Sequence, residues 1–254
     1  MTFVALYCVA AFFALMAGVY LLCRRGNAFM QEEETDSTKT IETPTKGLVH
    51  VGYDLRMRSS LRLRRWTAAL MAAILASHVW WYILGQVWLT DDRLVRNIVA
   101  IALDHVTLVP LTMAVLLAML QDHRRRLWPW LVAEVSALVV TAVVGIAGRN
   151  EFWGYDVLGY CQLVIIAGFI VYYVFALRHY GRWLRDNYSS LEHKEVWQSL
   201  AFALGLFVVY EVYTSNGGEL MREYLSQVIT LIIVAFLVWR VETLQRLPSE
   251  EEMD

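Results

Sequence analysis

Charged residues are scarce in this sequence, and apolar residues are in excess. Only 18% of the 254 residues are charged, whereas 58% are hydrophobic. A soluble domain has about a quarter charged and about half apolar residues. The excess apolar surface must therefore face something other than water. The net charge of -2 also offers no basic surface for a nucleic-acid partner.

The sequence also lacks the patterns of common catalytic and metal sites. Its three cysteines show no CxxC spacing, so neither a disulfide framework nor a zinc site is predicted. GxSxG, HExxH and HxxxH motifs are absent, which argues against a hydrolase, and the apolar segments hold no lysine for a retinal-type chromophore. We therefore predict no enzyme and no cofactor. An intramembrane haem- or metal-dependent enzyme stays a further alternative, because His78 and His105 lie on neighbouring predicted helices.

Long apolar segments recur along the chain, most of them close to the roughly 20 residues that a membrane-spanning helix needs. They are too long, and lack the strict alternation, for the strands of a β-barrel. The predicted fold class is an all-α, polytopic transmembrane bundle of about seven spanning helices, forming a single domain over 1–254. The seven segments are about 2–23, 66–89, 98–120, 129–147, 156–178, 200–215 and 223–240.

The distribution of basic residues predicts the orientation of these helices. The first segment has no basic n-region and is followed directly by two arginines, so it is predicted to be a retained span rather than a signal peptide. With the N-terminus outside and the C-terminus in the cytoplasm, nearly all of the 22 lysines and arginines lie on the inner side, as the positive-inside rule requires. The basic residues left outside are Arg93, Arg96, Arg149 and Arg222.

Two polar stretches lie outside the predicted spans. Residues 26–55 are rich in Glu, Thr and Lys, which predicts a disordered cytoplasmic loop. Residues 178–199 read RHYGRWLRDNYSSLEHKEVWQS, and the capping box from Ser189 to Glu192 predicts a new helix there. We therefore predict a cytoplasmic helical hairpin, which either packs on itself or serves as an output surface. Its candidate partner-docking residues are Trp183, Arg185, Tyr188, Glu192 and Lys194.

A few ionisable residues stand inside the predicted spans, where a charge costs about 2.5–3.5 kcal/mol on insertion scales. Asp104 is the leading candidate for a ligand- or proton-sensing role, because Pro110 frees a backbone carbonyl close to it. Glu134 lies near the inner face, where its side chain can snorkel to water. The candidate sensing residues are Asp104, His105, His78 and Glu211.

The polar residues inside the predicted spans are expected to contact one another or residues of neighbouring helices. We expect Asp104, His105 and His78 to border one cavity in the outer half of the bundle, because unpaired polar groups are not left facing hydrocarbon. We also expect Asp104 to have a partner on another helix. The candidates for that partner are Glu211, Tyr210 and Tyr213.

The stretch 178–199, together with LDHVTLVPL at 103–111, resembles the N-terminal seven-helix sensory region of membrane-bound signalling proteins of Bacteroides-type bacteria. In that family, stretches similar to RWLRDNY-x-x-LE-x-K-E-V-W lie between helices five and six, and a helix-turn-helix regulator or a histidine kinase can follow the last helix. The resemblance implies a bacterial inner-membrane protein. This chain ends at Asp254, so we expect the output module on another chain or in a longer protein.

The resulting functional prediction is a multi-pass membrane sensor or scaffold. It would relay an outer or intramembrane signal, carried by an unknown small ligand, to a cytoplasmic regulator or kinase on a separate chain. The alternative is a small-solute or proton-coupled transporter, in which Asp104, Glu134 and Glu211 form a relay across the membrane. Seven helices without an obvious inverted repeat argue against that alternative.

Reporter fusions test the predicted topology. A reporter fused after Asp254 is expected to be active in the cytoplasm, and one inserted within 90–97 is expected to report outside the membrane. A third reporter within 26–55 serves as a cytoplasmic control. If either of the first two lies on the opposite side, the number of spans differs from the prediction by one.

Overall fold

The computed structural model describes residues 2–24, 60–87, 93–148, 151–187, 196–202, 204–205 and 219–244. Within these ranges the chain is mainly helical and contains no strand, which confirms the all-α class. Short helical stretches at 197–202 and 204–205 lie between the fifth and sixth long helices. The long helices are α1 (Thr2–Cys23), α2 (Leu61–Val87), α3 (Arg93–Met119), α4 (Trp128–Gly148), α5 (Glu151–Asn187) and α6 (Glu219–Thr243).

Five of these helices are long and apolar enough to cross a membrane, and α4 has a shorter apolar segment, Trp128–Val144. Their outward faces carry large apolar side chains: Phe12, Val164 and Phe175 are 63%, 68% and 64% exposed. Such continuous apolar surface is unfavourable in water and suits hydrocarbon. The protein is therefore a multi-pass membrane protein. The five segments are Val4–Cys23, Leu61–Ile83, Ala102–Met119, Val157–Asn187 and Tyr224–Thr243.

Parts of the prediction lie outside the described residues. These are the polar loop 26–55, the turn of the hairpin, and most of the predicted sixth span at 200–215. The first arm of the hairpin is described: α5 continues through residue 178 and ends at Asn187, as one unbroken helix. The seven-span count therefore stays a prediction.

Helix α2 is central to the packing, since it contacts α1, α3 and α6, while α4 packs mainly on α5. A face of small residues lets α1 approach α2 closely. Ala10, Ala14 and Ala17 are buried, and a Cβ placed on Gly18 would lie only 3.3 Å from the Cβ of Met71. Small residues bring helix backbones together in this way in membranes, where van der Waals contact drives association.

A buried ion pair joins three helices at one end of the bundle. Arg64 of α2 and Glu242 of α6 are 2.5 Å apart, with side chains 3% and 0% exposed. Arg64 also donates to the backbone carbonyl of Arg24, directly after α1. The end of α1, the start of α2 and the end of α6 therefore lie together, at what we call the ion-pair end.

A second ion pair fixes the segment between α3 and α4. Both oxygens of Asp122 accept hydrogen bonds from Arg125, at 2.5 and 2.7 Å, and Arg125 also reaches the carbonyl of Ala176 in α5 at 3.5 Å. Burial favours the neutral carboxyl. The hydrogen bonds and charge of Arg125, with smaller contributions from His123 and His179, outweigh burial and lower the pKa of Asp122 below its usual value. This pair holds the α3–α4 segment against α5.

Exchange of Arg64 tests the contribution of the Arg64–Glu242 pair. Arg64→Gln leaves Glu242 as a buried charge without its cation, so we expect a loss of about 3–5 kcal/mol in the free energy of unfolding. Arg65→Gln removes the same charge from an exposed neighbour and should change stability by less than about 0.5 kcal/mol. Unfolding in detergent measures both, and equal losses would contradict the structural role given to the pair.

Candidate functional site: a polar cluster between the helices

The carboxylate of Asp104, in α3, is held by two tryptophans of α2. The indole N–H of Trp80 donates to Oδ1 at 3.0 Å, and that of Trp81 donates to Oδ2 at 2.9 Å. Ser77 of α2 contributes a further side-chain hydrogen bond. Hydrogen bonds to an ionised carboxylate are stronger than neutral ones. These contacts therefore anchor α3 to α2 through a single acidic side chain.

His78, also in α2, connects the same region to α1 and α6. Its Nδ1 lies 2.8 Å from the carbonyl oxygen of Ile74, and its Nε2 lies 2.9 Å from the side-chain amide oxygen, Oε1, of Gln227 in α6. The hydroxyl of Tyr7, in α1, donates to the backbone carbonyl of His78, and the two rings lie 4.7 Å apart. Polar groups of α1, α2, α3 and α6 thus meet in one cluster, in the half of the bundle away from the ion-pair end.

The side-chain amide of Gln227 uses both of its polar atoms. Its oxygen, Oε1, faces Nε2 of His78, and its NH₂ group donates to the hydroxyl of the neighbouring Ser226 at 3.2 Å. The contact of His78 with this amide is a polar side-chain link between α2 and α6.

A cavity of about 130 Å³ lies beside this cluster, between α2, α3, α6 and the 197–202 stretch. Its lining is mainly apolar, and its polar side chains come from three of the helices. The lining includes His78 but neither Asp104 nor His105, so the prediction that all three border one cavity does not hold for this cavity. Ser77 links Asp104 to it, since this side chain both lines the cavity and bonds Asp104. The polar lining residues are Ser77, His78, Thr112 and Thr230.

The remaining sensing candidates are only partly described. Asp104 does have partners on another helix, but they are Trp80 and Trp81, whereas Glu211, Tyr210 and Tyr213 lie outside the described residues. His105 is half-buried and interacts electrostatically with its neighbour Asp104. A buried indole N–H can only donate. Two adjacent tryptophans in the half of α2 away from the ion-pair end were therefore a signal for an acidic partner on α3.

Two of the docking candidates lie on the last turns of α5. Trp183 is half-buried and stacks on Tyr180, with ring centroids 5.9 Å apart, so part of its surface is used within the protein. Arg185 is exposed. Three other candidates lie outside the described residues: Tyr188, Glu192 and Lys194.

Glu134, in α4, does not snorkel to the surface. Its side chain is buried, and one carboxyl oxygen accepts a hydrogen bond of 2.7 Å from the buried amide of Gln162 in α5. The other oxygen of Glu134 and the amide oxygen of Gln162 have no hydrogen-bond partner in the described part of the chain. This pair joins α4 to α5 and leaves two buried acceptor oxygens without a donor, an arrangement that is uncommon in proteins.

Comparison with known proteins adds no further constraint on this site. No protein-family model, no curated protein and no solved structure matches the chain. The resemblance to bacterial sensory regions therefore stays a prediction, and the function is argued from the geometry of the polar cluster.

Exchange of Asp104 tests the two-indole contact. Asparagine has one carbonyl oxygen and one NH₂ group in place of two acceptors, so one indole N–H would face another donor. We expect Asp104→Asn to lower the free energy of unfolding by about 1–3 kcal/mol, the cost of a buried unsatisfied donor.

The matched control is Asp186→Asn, which neutralises an exposed carboxylate near the end of α5. It should change stability by less than about 0.5 kcal/mol. Denaturant unfolding of both variants in the same detergent gives the comparison. An Asp104 variant as stable as the wild type would show that the indoles do not depend on the carboxylate.

Proposed function

We propose that this protein is a multi-pass membrane sensor or signalling scaffold that relays an outer or intramembrane signal to a cytoplasmic partner. The observation that carries the proposal is the polar cluster in which side chains of α1, α2, α3 and α6 meet beside a cavity. A small ligand or a proton arriving there would change hydrogen bonds on all four helices at once. The sequence resemblance to bacterial sensory regions supports the same proposal.

The number and direction of the membrane spans are part of this proposal. The ends of α1, α3, α5 and α6 lie together at the ion-pair end. Arg64 links α1 and α6, and Arg125 links the segment after α3 to α5. The 196–202 stretch contacts the end of α3 through Ser199 and Met119, and the end of α6 through Gln198 and Arg240. If α5 and α6 run in the same direction, the chain between them must return across the membrane. This supports a sixth span near 200–215 and seven spans in all. The excess of basic residues on one side of these spans supports the N-out orientation. We propose a bacterial inner membrane as the location, as the resemblance to bacterial sensory regions implies.

Helix α2 provides a route from the cluster to the opposite face. Its middle carries His78 and the partners of Asp104, and its first turn carries Arg64 in the ion pair with α6. A change of the His78–Gln227 bond would shift α2 against α6, and the same two helices meet again at Arg64 and Glu242. The ligand can drive such a shift only if it binds the two packings with different free energies. The partner would be a cytoplasmic regulator or kinase on a separate chain.

A proton-coupled transporter is the second candidate, because Glu134 is buried in α4 with one oxygen that accepts no hydrogen bond from the described residues. Intramembrane carboxylates of this kind serve in proton relays. The two functions differ in what the protein does when reconstituted. A transporter moves protons or solute across the vesicle membrane, whereas a sensor changes conformation without flux.

Distance measurements between spin labels test the relay. Labels replace Arg65 in α2 and Trp239 in α6, which are both exposed, and the three native cysteines are replaced by serine. If charge at Asp104 sets the packing, Asp104→Asn should shift the distance distribution between the labels. Thr107→Val is the control, because Thr107 lies in the same helix and its hydroxyl donates, among the described residues, to the carbonyl of Leu103 in its own helix.

Identical distributions in the wild type and the Asp104 variant would contradict the relay. Proton flux in reconstituted vesicles, measured with an internal pH dye and abolished by Glu134→Gln, would establish transport in its place. Because Asp104→Asn is also expected to lower stability, each comparison uses protein purified from the folded fraction.

A further inference from the structure

Three potential metal ligands converge where the segment between α3 and α4 lies against α5. Asp122 and His123 lie in the segment between α3 and α4, and His179 lies in α5, near its end. The Nδ1 atoms of His123 and His179 are 2.9 and 3.3 Å from the same oxygen, Oδ2 of Asp122. The two imidazole rings meet edge to face, with centroids 5.8 Å apart.

We propose that Asp122, His123 and His179 form a binding site for a divalent first-row transition metal, with Zn²⁺ as the representative ion. One ligand atom from each residue lies within 4.8 Å of the other two. Ligand atoms in a tetrahedral zinc site are about 3.3 Å apart, given bonds of roughly 2.0–2.1 Å. The imidazoles are the mobile partners, since their side chains are 55% and 61% exposed while that of Asp122 is 2% exposed. A small rotation of two surface rings would complete the geometry.

Arg125 prepares the carboxylate for this role. It bonds both oxygens of Asp122 and is itself 3% exposed, so the carboxylate is fixed in position before a metal arrives. Outer hydrogen bonds that orient a metal ligand are a regular part of metal sites. Coordination at Nδ1 of each histidine replaces the present contact with Asp122 and places the ring proton on Nε2. Three protein ligands leave a fourth position for water.

The donor atoms of the site, rather than its charge, select the kind of ion. Arg125 offsets the charge of Asp122, and the exposed neighbours Arg124 and Arg126 add positive charge. Calcium and magnesium need several oxygen ligands, and only one carboxylate is present here. Zinc, nickel and copper gain their affinity from imidazole nitrogen, which two of the three residues supply. A bound ion would tie the α3–α4 segment to α5, and this inference does not depend on the sensing proposal.

Calorimetric titration of Zn²⁺ into the detergent-solubilised full chain, prepared without a histidine tag, tests the site. We expect one ion per chain. Both His123→Gln and His179→Gln should weaken binding by at least about tenfold, the size of loss that is common when a group of a metal site is replaced. Both side chains are exposed, so these variants should keep the unfolding temperature of the wild type. The matched control is Arg126→Gln, which removes an exposed charge from the same segment and should not weaken binding.

Co²⁺ in place of Zn²⁺ provides a spectroscopic measurement. Four-coordinate Co²⁺ with nitrogen and oxygen ligands gives visible absorption bands, which are expected in the wild type and in the Arg126 variant and are expected to disappear in the His123/His179 double variant. Absence of Zn²⁺ binding by the wild type would overturn the proposal. Binding of equal strength in the double variant would also overturn it, because the ion would then lie elsewhere, for example at His50 or His193.

Discussion

Hydrocarbon offers no hydrogen-bond partner, and this constraint governs where polar side chains lie in the protein. Asp104 is bonded by two indoles, His78 by a glutamine, and Glu134 by the amide of Gln162. Apolar contacts between helices are weakly specific in a membrane, because lipid tails provide similar contacts. The polar pairs distinguish one helix arrangement from others. They link α2 to α3 and α6, and α4 to α5.

The helices could be predicted well from the sequence, because their apolar length is a direct signal. Segment 2–23 coincides with α1, and segment 129–147 lies within one residue of α4 at each end. The differences arise where helices continue beyond the apolar residues. Helix α2 begins at Leu61 rather than 66, because Ser60 accepts a hydrogen bond from the backbone N–H of Leu63 and caps the first turn. A helix in water needs no apolar surface to keep its backbone bonds, so hydropathy does not mark its ends.

The candidate site was predictable only in part. A charge inside a span predicts that a partner exists, and Asp104 has partners on another helix. Which residues they are depends on helix rotation and depth, which a single sequence does not fix. The group Asp122, His123 and His179 was not predictable at all, since His179 is far from the other two in the chain and no motif connects them. Only the packing of α5 beside the α3–α4 segment brings them together.

The length of α5 has a mechanical consequence. Its 37 residues correspond to roughly 55 Å at 1.5 Å per residue, well beyond the hydrocarbon thickness of about 30 Å. The helix contains no proline, the commonest cause of a sharp kink, so it can tilt as a stiff rod. A rotation of only about 5° about one end would carry the other end through about 5 Å, close to the rise of one helical turn. A small change in the tilt of α5 within the bilayer would therefore displace its far end enough to make or break a contact in water.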